Sequence, residues 1–178
     1  MNKTGIIYGI NGPVIYLKGD SGFKISEMVY VGKDHLVGEV IGLKKGMTTI
    51  QVFEETTGLR PGETVIGTGD AISVLLGPGI IHNIFDGIQR PLEEIAKTSG
   101  KYISRGVSVD SLDTEKKWHT HITVKEGDVV GPGTIIAETQ ETASILHKSM
   151  VPPNITEGTV IKAAPDGDYT ILEPIVTI

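Results

Sequence analysis

The stretch Gly5-Ile6-Ile7-Tyr8, the turn Asn11-Gly12-Pro13 and the run Val14-Ile15-Tyr16-Leu17 decide the fold of the first third of the chain. Glycine and proline set backbone angles that tight turns need, so two short apolar runs joined by this turn predict paired antiparallel strands. Similar runs follow at residues 27–31, 36–41, 48–53 and 65–66. Closing such strands into a barrel leaves no exposed edge. Residues 1–68 are therefore predicted to form a small β-barrel.

The composition supports a mainly β protein and excludes several functions. The 178 residues include 23 glycines and 9 prolines but only 5% aromatic residues, which is typical of short strands and many turns. A net charge of -6 argues against a nucleic-acid partner, because phosphate backbones require clustered lysine and arginine. The chain has no cysteine, which excludes disulfides and thiolate metal sites.

Hydropathy gives no sign of direct membrane insertion. No apolar run approaches the roughly 20 residues that cross a bilayer, and the N-terminus lacks the apolar core of a signal peptide. We therefore expect a cytoplasmic protein.

Residues 69–109 change character and predict a connector that contains one helix. The segment includes the turn Leu76-Gly77-Pro78-Gly79-Ile80-Ile81. Apolar residues then recur at helical spacing, and Pro91 lies just inside the expected helix start, where its missing N–H has no cost. Glu93 and Glu94 fall in the first turn, where negative charge interacts favourably with the helix dipole, and Gly100 is the expected end of the helix. The apolar positions are Ile84, Ile88, Leu92 and Ile95.

Residues 110–178 return to strand-like patterns and predict a β-rich bulge with a barrel-sandwich-like fold. Glycine- and proline-rich turns separate the apolar runs. The polar segment 108–117 favours a domain boundary before them. The expected strands span residues 118–124, 134–138, 145–151, 158–163 and 169–178.

Nucleotide chemistry is not expected of this chain by itself. A phosphate-binding P-loop needs G-x-x-x-x-G-K-[ST], whose backbone N–H groups and lysine hold the phosphates. No segment matches, and the turn Gly77-Pro78-Gly79 has neither the lysine nor the following hydroxyl residue. We assign no catalytic residue and no cofactor-binding residue.

Metal binding is likewise not assigned. His119 and His121 flank Thr120, and residues two apart on a strand share a face. However, a protein metal site usually needs three or four ligands. The other histidines, at 35, 82 and 147, are remote in sequence.

A carrier domain of the biotinyl or lipoyl type is an alternative for the C-terminal region. Residues 124–130, 134–136, 151–153 and 158–160 resemble such domains, which present a modified lysine on a hairpin tip. Here the expected tip, residues 139–142, contains no lysine, and Lys148 falls in a predicted strand. The resemblance is thus to the fold, without the chemistry.

A longer resemblance covers nearly the whole chain. The turn at Gly77-Pro78-Gly79 and the following Phe85-Asp86-Gly87-Ile88-Gln89-Arg90-Pro91-Leu92 resemble the catalytic A (alpha) subunit of V/A-type rotary ATPases. So do residues 12–14, 37–41, 50–63, 105–107, 116–118, 141–142 and 147–153, in the same order. One departure is His119-Thr120-His121, where the family more often has an acidic and aromatic pair.

This resemblance implies the front end of the catalytic A subunit, ending before the P-loop domain. Residues 1–68 would help to form the ring of alternating A and B subunits. Residues 110–178 would be the non-homologous region, a bulge that contacts the peripheral stalk. The parent enzyme couples ATP hydrolysis or synthesis to H⁺ or Na⁺ transport. ATP and Mg²⁺ would bind in the parent protein and not in this chain, and the complex would hold the chain at the cytoplasmic side of a membrane.

Overall fold

The computed structural model describes residues 3–100 and 104–178, so the first two residues of the predicted barrel segment and residues 101–103 of the predicted connector lie outside the described residues. Its elements are mainly strands, as the sequence predicted. Their bounds are β1 Thr4–Asn11, β2 Val14–Lys18, β3 Glu27–Val31, β4 Leu36–Lys44, β5 Met47–Val52, β6 Thr64–Ala71, α1 Leu92–Ser99, β7 Trp118–Ile122, β8 Val129–Val130, β9 Ile135–Gln140, β10 Leu146–Met150, β11 Gly158–Thr159, β12 Lys162–Ala163, β13 Gly167–Tyr169 and β14 Val176–Thr177.

The chain divides into two compact units. One unit comprises residues 1–74 and 95–108, and the other comprises residues 75–94 and 109–178. The division falls inside α1, so the residues of the predicted connector are shared between the two units.

The first unit contains a closed antiparallel barrel, which confirms the barrel predicted from the N-terminal strands. The strand order is β1-β2-β5-β4-β3-β6, and β6 pairs with β1 to close it. Strands alternate more buried and less buried residues, as period-two geometry requires. The inward side chains are almost all aliphatic, including Ile15, Leu17, Val29, Ile50 and Val65.

The turn Asn11-Gly12-Pro13 joins β1 to β2 as a two-residue loop, with Asn11 paired to Val14. Gly12 occupies the first loop position with φ 56°, in the left-handed region that glycine adopts without steric cost. Two-residue loops that begin with positive φ follow the natural twist of paired strands. The local sequence therefore sets the register of the first hairpin.

The second unit holds a four-stranded antiparallel sheet of order β10-β9-β7-β13 and two small two-stranded sheets. Its core is a valine cluster formed by Val124, Val130, Val151 and Val160.

Two of the strands predicted in this unit are interrupted. The long strand predicted at residues 169–178 is wrong, because the chain turns between β13 and β14. There the Thr170 N–H donates to the Glu173 carboxylate at 2.6 Å, and Pro174, which follows, has no N–H to offer a strand neighbour. The run predicted at 158–163 is similarly divided into β11 and β12.

The predicted helix exists, but it is shorter than its apolar stripe implied. It begins at Leu92, directly after Pro91, so Ile84 and Ile88 lie outside it. Gln89 has φ 62°, which an α-helix cannot accommodate. The predicted stop is confirmed: Gly100 has φ 75° and its N–H donates to the Ala96 carbonyl at 2.9 Å.

Among residues 3–100 and 104–178, no helix has the length and apolar character needed to cross a membrane.

Candidate functional site

The Gly-Pro-Gly turn is held by a single carboxylate. Glu141 follows β9 at the start of the β9–β10 loop, and its Oε1 accepts the N–H groups of Gly79 and Ile81, both at 2.8 Å. The Glu141 side chain is only 4% exposed. Its Oε2 lies 3.8 Å from Nδ1 of His147 on β10. One buried anion thereby fixes two backbone groups of a turn some sixty residues earlier in the sequence.

Close packing explains the glycines in this turn. A Cβ at Gly77 would lie 3.1 Å from Cδ1 of Leu112, and a Cβ at Gly79 would lie 3.4 Å from Cζ2 of Trp118. Gly79 also has φ 108°, a conformation that other residues rarely adopt. The turn therefore lies directly against two buried side chains of the second unit.

The segment after the turn is organised around Asp86. Its Oδ1 accepts the N–H groups of Ile88 at 3.0 Å and Arg90 at 2.9 Å, and its Oδ2 pairs with Nε of Arg90 at 2.7 Å. Burial alone would raise the pKa of Asp86, but the hydrogen bonds from Arg90 and Ile88 outweigh it and hold the pKa below its usual value. Gln89 extends this loop by exchanging two hydrogen bonds with the backbone of Leu75, both at 2.6 Å.

These contacts satisfy backbone groups and position a turn. The Glu141 and Asp86 carboxylates are engaged by backbone N–H groups and, at Asp86, by a guanidinium, so the arrangement provides rigidity. It does not resemble a nucleophile with an adjacent base.

The two histidines on β7 lie on one exposed face, as the strand prediction implied, and each faces a carboxylate. Nδ1 of His119 is 2.8 Å from Asp168, and Nδ1 of His121 is 2.6 Å from Asp166. The Asp166 hydrogen bond raises the pKa of His121. The pKa of Asp166 is lowered, mostly by the hydrogen bond that it accepts from the Ile122 N–H and to a smaller extent by its hydrogen bond with His121. In the part of the chain that the structure describes, no three or more such side chains are arranged to hold a metal ion.

The hairpin relevant to the carrier alternative places its lysine away from the tip. Lys148 lies in the middle of β10, with Nζ 3.3 Å from Glu138 Oε1 on β9. The loop between these strands, residues 141–145, has no lysine. The geometry gives the carrier alternative no support.

Sequence reasoning missed a tether within the barrel unit. Arg105 pairs with Asp34, and the Gly106 N–H donates to Glu54 at 2.9 Å. Gly106 has φ 70°, and a Cβ there would lie 2.5 Å from the Asp34 carbonyl oxygen, so the backbones approach too closely for a larger residue. The local signal was only a glycine after an arginine, whose acidic partners are distant in sequence.

Comparisons with known proteins match both units. Residues 7–69 match the family model described as ATP synthase alpha/beta family, beta-barrel domain. Residues 109–178 match the model described as ATPsynthase alpha/beta subunit barrel-sandwich domain. A closed barrel followed by a separate β unit is the architecture that these two descriptions name. The chain belongs to the ATP synthase alpha/beta family.

Similar proteins narrow this assignment. The chain is 49% identical to the V-type ATP synthase alpha chain of Halothermothrix orenii over 178 residues, which is 100% of this chain and 30% of that protein. It is 51% identical over 175 residues to V-type ATP synthase alpha chain 2 of Clostridium tetani, covering 98% of this chain and 29% of the relative. The V-type ATP synthase alpha chain of Thermoanaerobacter sp. (strain X514) is 45% identical over 176 residues, 99% of this chain and 30% of its own length. The chain thus spans less than a third of these relatives.

Proposed function

We propose that this chain provides the assembly units of the catalytic A subunit of a V/A-type rotary ATPase. The observation that carries this proposal is identity of about half, extending through both β units, with proteins named V-type ATP synthase alpha chain. The parent enzyme would couple ATP hydrolysis or synthesis to the transport of H⁺ or Na⁺. ATP and Mg²⁺ would be bound by the parent protein, since this chain has no P-loop motif.

The barrel would join alternating A and B subunits into a ring. This role is supported by large apolar side chains on the outer face of the barrel. Ile6 and Tyr8 on β1 are 55% and 59% exposed. Ile41 and Leu43 on β4 are also exposed. The members of each pair are two residues apart on one strand and so share a face, while β1 and β4 are separated by two strands in the barrel. Paired exposed apolar side chains of this kind are typical of protein–protein interfaces.

The second unit would contact the peripheral stalk. Strand β10 lies at the edge of its sheet, and Leu146, Lys148 and Met150 alternate along one exposed face. An edge strand with exposed apolar residues is a surface that another chain can cover. A rigid β unit suits a stator, which must resist torque. The assembled complex would place the chain at the cytoplasmic side of a membrane, as a peripheral component.

A binding experiment with two pairs of substitutions tests both roles. The purified chain is presented separately to the immobilised B subunit of the same complex and to the peripheral-stalk heterodimer. Ile6→Ser with Tyr8→Ser is expected to abolish B-subunit capture and to leave stalk capture intact. Leu146→Ser with Met150→Ser is expected to do the reverse. Ile161→Ser, an exposed apolar residue outside both surfaces, serves as the matched control.

Loss of neither interaction, or equal loss of both with either pair, would contradict the assignment of surfaces. Calorimetry with MgATP is expected to show no binding by this chain, and tight binding would overturn the proposal that nucleotide chemistry lies elsewhere. Mass spectrometry of protein from its native host discriminates the carrier alternative, because a biotinyl or lipoyl adduct on Lys148 would support that alternative.

A further inference from the structure

Strand β10 forms an open edge of the four-stranded sheet in the second unit. It pairs with β9 on one side, and no strand among the described residues pairs with its other side. Alternate residues along its five-residue length therefore direct backbone N–H and C=O groups away from β9. The strand contains no proline, so each of its residues can donate a backbone hydrogen bond.

A row of side chains with alternating charge crosses the exposed face of this sheet. The register between β7 and β13 places Asp166 opposite His121. His121 in turn lies opposite Glu138, and Glu138 lies opposite Lys148. When His121 is protonated, the row therefore reads negative, positive, negative and positive from the β13 edge to the β10 edge.

Short contacts join the charges of this row. Nδ1 of His121 is 2.6 Å from Oδ2 of Asp166, and Nζ of Lys148 is 3.3 Å from Oε1 of Glu138. The Asp166 hydrogen bond, with a smaller contribution from the Glu138 charge, raises the pKa of His121, which favours its positive form. The two interior members of the row are thus flanked by opposite charges, whereas Lys148 has a carboxylate beside it on the β9 side alone within the described sheet.

The alternation predicts which residue type belongs opposite Lys148 on an added strand. Opposite charges at directly facing positions stabilise a strand pair and like charges destabilise it, so an aspartate or glutamate would continue the row. Leu146 and Met150 lie two residues to either side of Lys148 and share its exposed face. They are 43% and 55% exposed, and apolar residues two positions from the acidic one would cover them.

A second copy of this chain fits the edge poorly. Two β10 strands paired antiparallel about Lys148 would place the two lysines directly opposite each other, which is destabilising. A shift of that pairing by two residues would place each lysine opposite Leu146 or Met150, where it would face no carboxylate. Lysine on an edge strand is a common protection against pairing of identical edges.

We propose that β10 binds an extended segment of a partner protein as a fifth, antiparallel strand of this sheet. The segment would carry an aspartate or glutamate opposite Lys148, with apolar residues two positions before and two positions after it. Backbone hydrogen bonds to β10 would supply most of the affinity. The acidic residue would select the register, because an exposed ion pair contributes little affinity by itself. Such binding rests on the proposed contact between the second unit and the peripheral stalk, and it specifies the chemistry of the contacting segment.

Two synthetic peptides with blocked termini test this proposal by NMR on the ¹⁵N-labelled full chain. One peptide is Thr-Val-Thr-Glu-Thr-Val-Thr, and the other has lysine in place of the glutamate. The glutamate peptide is expected to shift backbone amides of β10 in a saturable manner. It should bind about fivefold more tightly than the lysine peptide, because the residue facing Lys148 changes from opposite to like charge. Lys148→Glu should reverse this preference. Lys162→Glu, the same charge change on a strand outside this sheet, is the control and should leave the preference intact.

Lys148→Gln provides a second measurement if Lys148→Glu does not fold, since removal of the charge should make the two peptides bind equally. Three results would each overturn the proposal: equal affinity of both peptides for the native chain, an unchanged preference in Lys148→Gln, or saturable shifts centred on β13, the other edge of the sheet. Concentration-dependent shifts of β10 amides without peptide would place a second copy at this edge and would overturn it as well.

Capture of the peripheral-stalk heterodimer distinguishes failure of this proposal from failure of the proposed stalk contact. Stalk capture by the native chain without binding of the glutamate peptide would overturn the added strand alone. Binding of the glutamate peptide at β10 without stalk capture would support the added strand and contradict the stalk contact.

Discussion

Removing the Glu141 carboxylate should destabilise the second unit more than any other single change at the Gly-Pro-Gly turn. Oε1 accepts two backbone N–H groups, and hydrogen bonds to a charged group contribute about 1.5–3 kcal/mol each when buried. The Gly79 N–H is partly buried, but the Ile81 N–H is exposed and can bond to water instead. The second bond therefore contributes less, and we expect Glu141→Ala to cost about 2–4 kcal/mol.

The substitution Glu141→Gln separates charge from geometry. Glutamine retains an oxygen at the Oε1 position, so it can accept both N–H groups without the charge. Neutral hydrogen bonds are about half as strong as charge-assisted ones. We therefore expect Glu141→Gln to lower the free energy of unfolding by about 1–2 kcal/mol, which is less than the loss expected for Glu141→Ala.

Tryptophan fluorescence in urea measures this effect in the correct unit, because the only tryptophan, Trp118, lies in the second unit. A two-unit chain need not unfold in one step, so a local probe is required. Amide exchange at Gly79 gives an independent value, expected to accelerate by roughly 30-fold or more in Glu141→Ala, since each 1.4 kcal/mol is tenfold. Glu157→Ala, at an exposed position in the same unit, is the control. If Glu141→Ala and Glu157→Ala unfold at the same urea concentration, the hydrogen bonds of Glu141 to the Gly-Pro-Gly turn do not stabilise the second unit.

Two further predictions concern the barrel and the histidine pair. Gly67→Ala should lower the stability of the barrel by about 1–3 kcal/mol, because the added Cβ would collide with the buried Glu27 carboxylate. Gly9→Ala is the control and should cost much less, since the nearest atom to its Cβ would be 3.9 Å away. Amide exchange in the barrel measures both. The pairing of His121 with Asp166 should stabilise the fold most between pH 3.8 and pH 6.5, the ordinary pKa values of the two groups. The His121 contribution is complete below its ordinary pKa of 6.5 and is lost as pH rises through its raised pKa, and that of Asp166 is present above 3.8 and is lost as pH falls through its lowered pKa. In an NMR titration, Asp166→Asn should return the His121 midpoint towards 6.5; an unchanged midpoint would contradict the pairing.

The barrel could be predicted from the sequence because the features that determine it lie within single strands and single turns. Alternating aliphatic residues fix which face is buried, and Gly12 fixes the first hairpin. The helix predicted around Ile84 and Ile88 was wrong. The spacing of apolar residues is helical there, but the Asp86 carboxylate accepts backbone N–H groups that a helix would use. A side chain that competes for backbone donors overrides periodicity, and a pattern of apolar residues does not register that competition.

The anchor at Glu141 also explains why a glycine-rich turn here need not serve a phosphate. Such turns bind phosphate by aiming free backbone N–H groups at an anion. In this chain the N–H groups of Gly79 and Ile81 already point at an anion, and that anion is a side chain of the same unit. Pro78 has no N–H to add. The turn thus uses the physical chemistry of an anion-binding loop to fasten one segment of the unit to another.

The glycines of this turn are required by contact with Leu112 and Trp118 and by the φ of Gly79, without any ligand. A glycine-rich sequence therefore has two physical causes that look alike in one dimension, close packing and anion binding, and here both operate inside one unit. The partner carboxylate lies 62 positions after Gly79, beyond the reach of any local pattern. Only the folded chain could reveal which anion the turn binds.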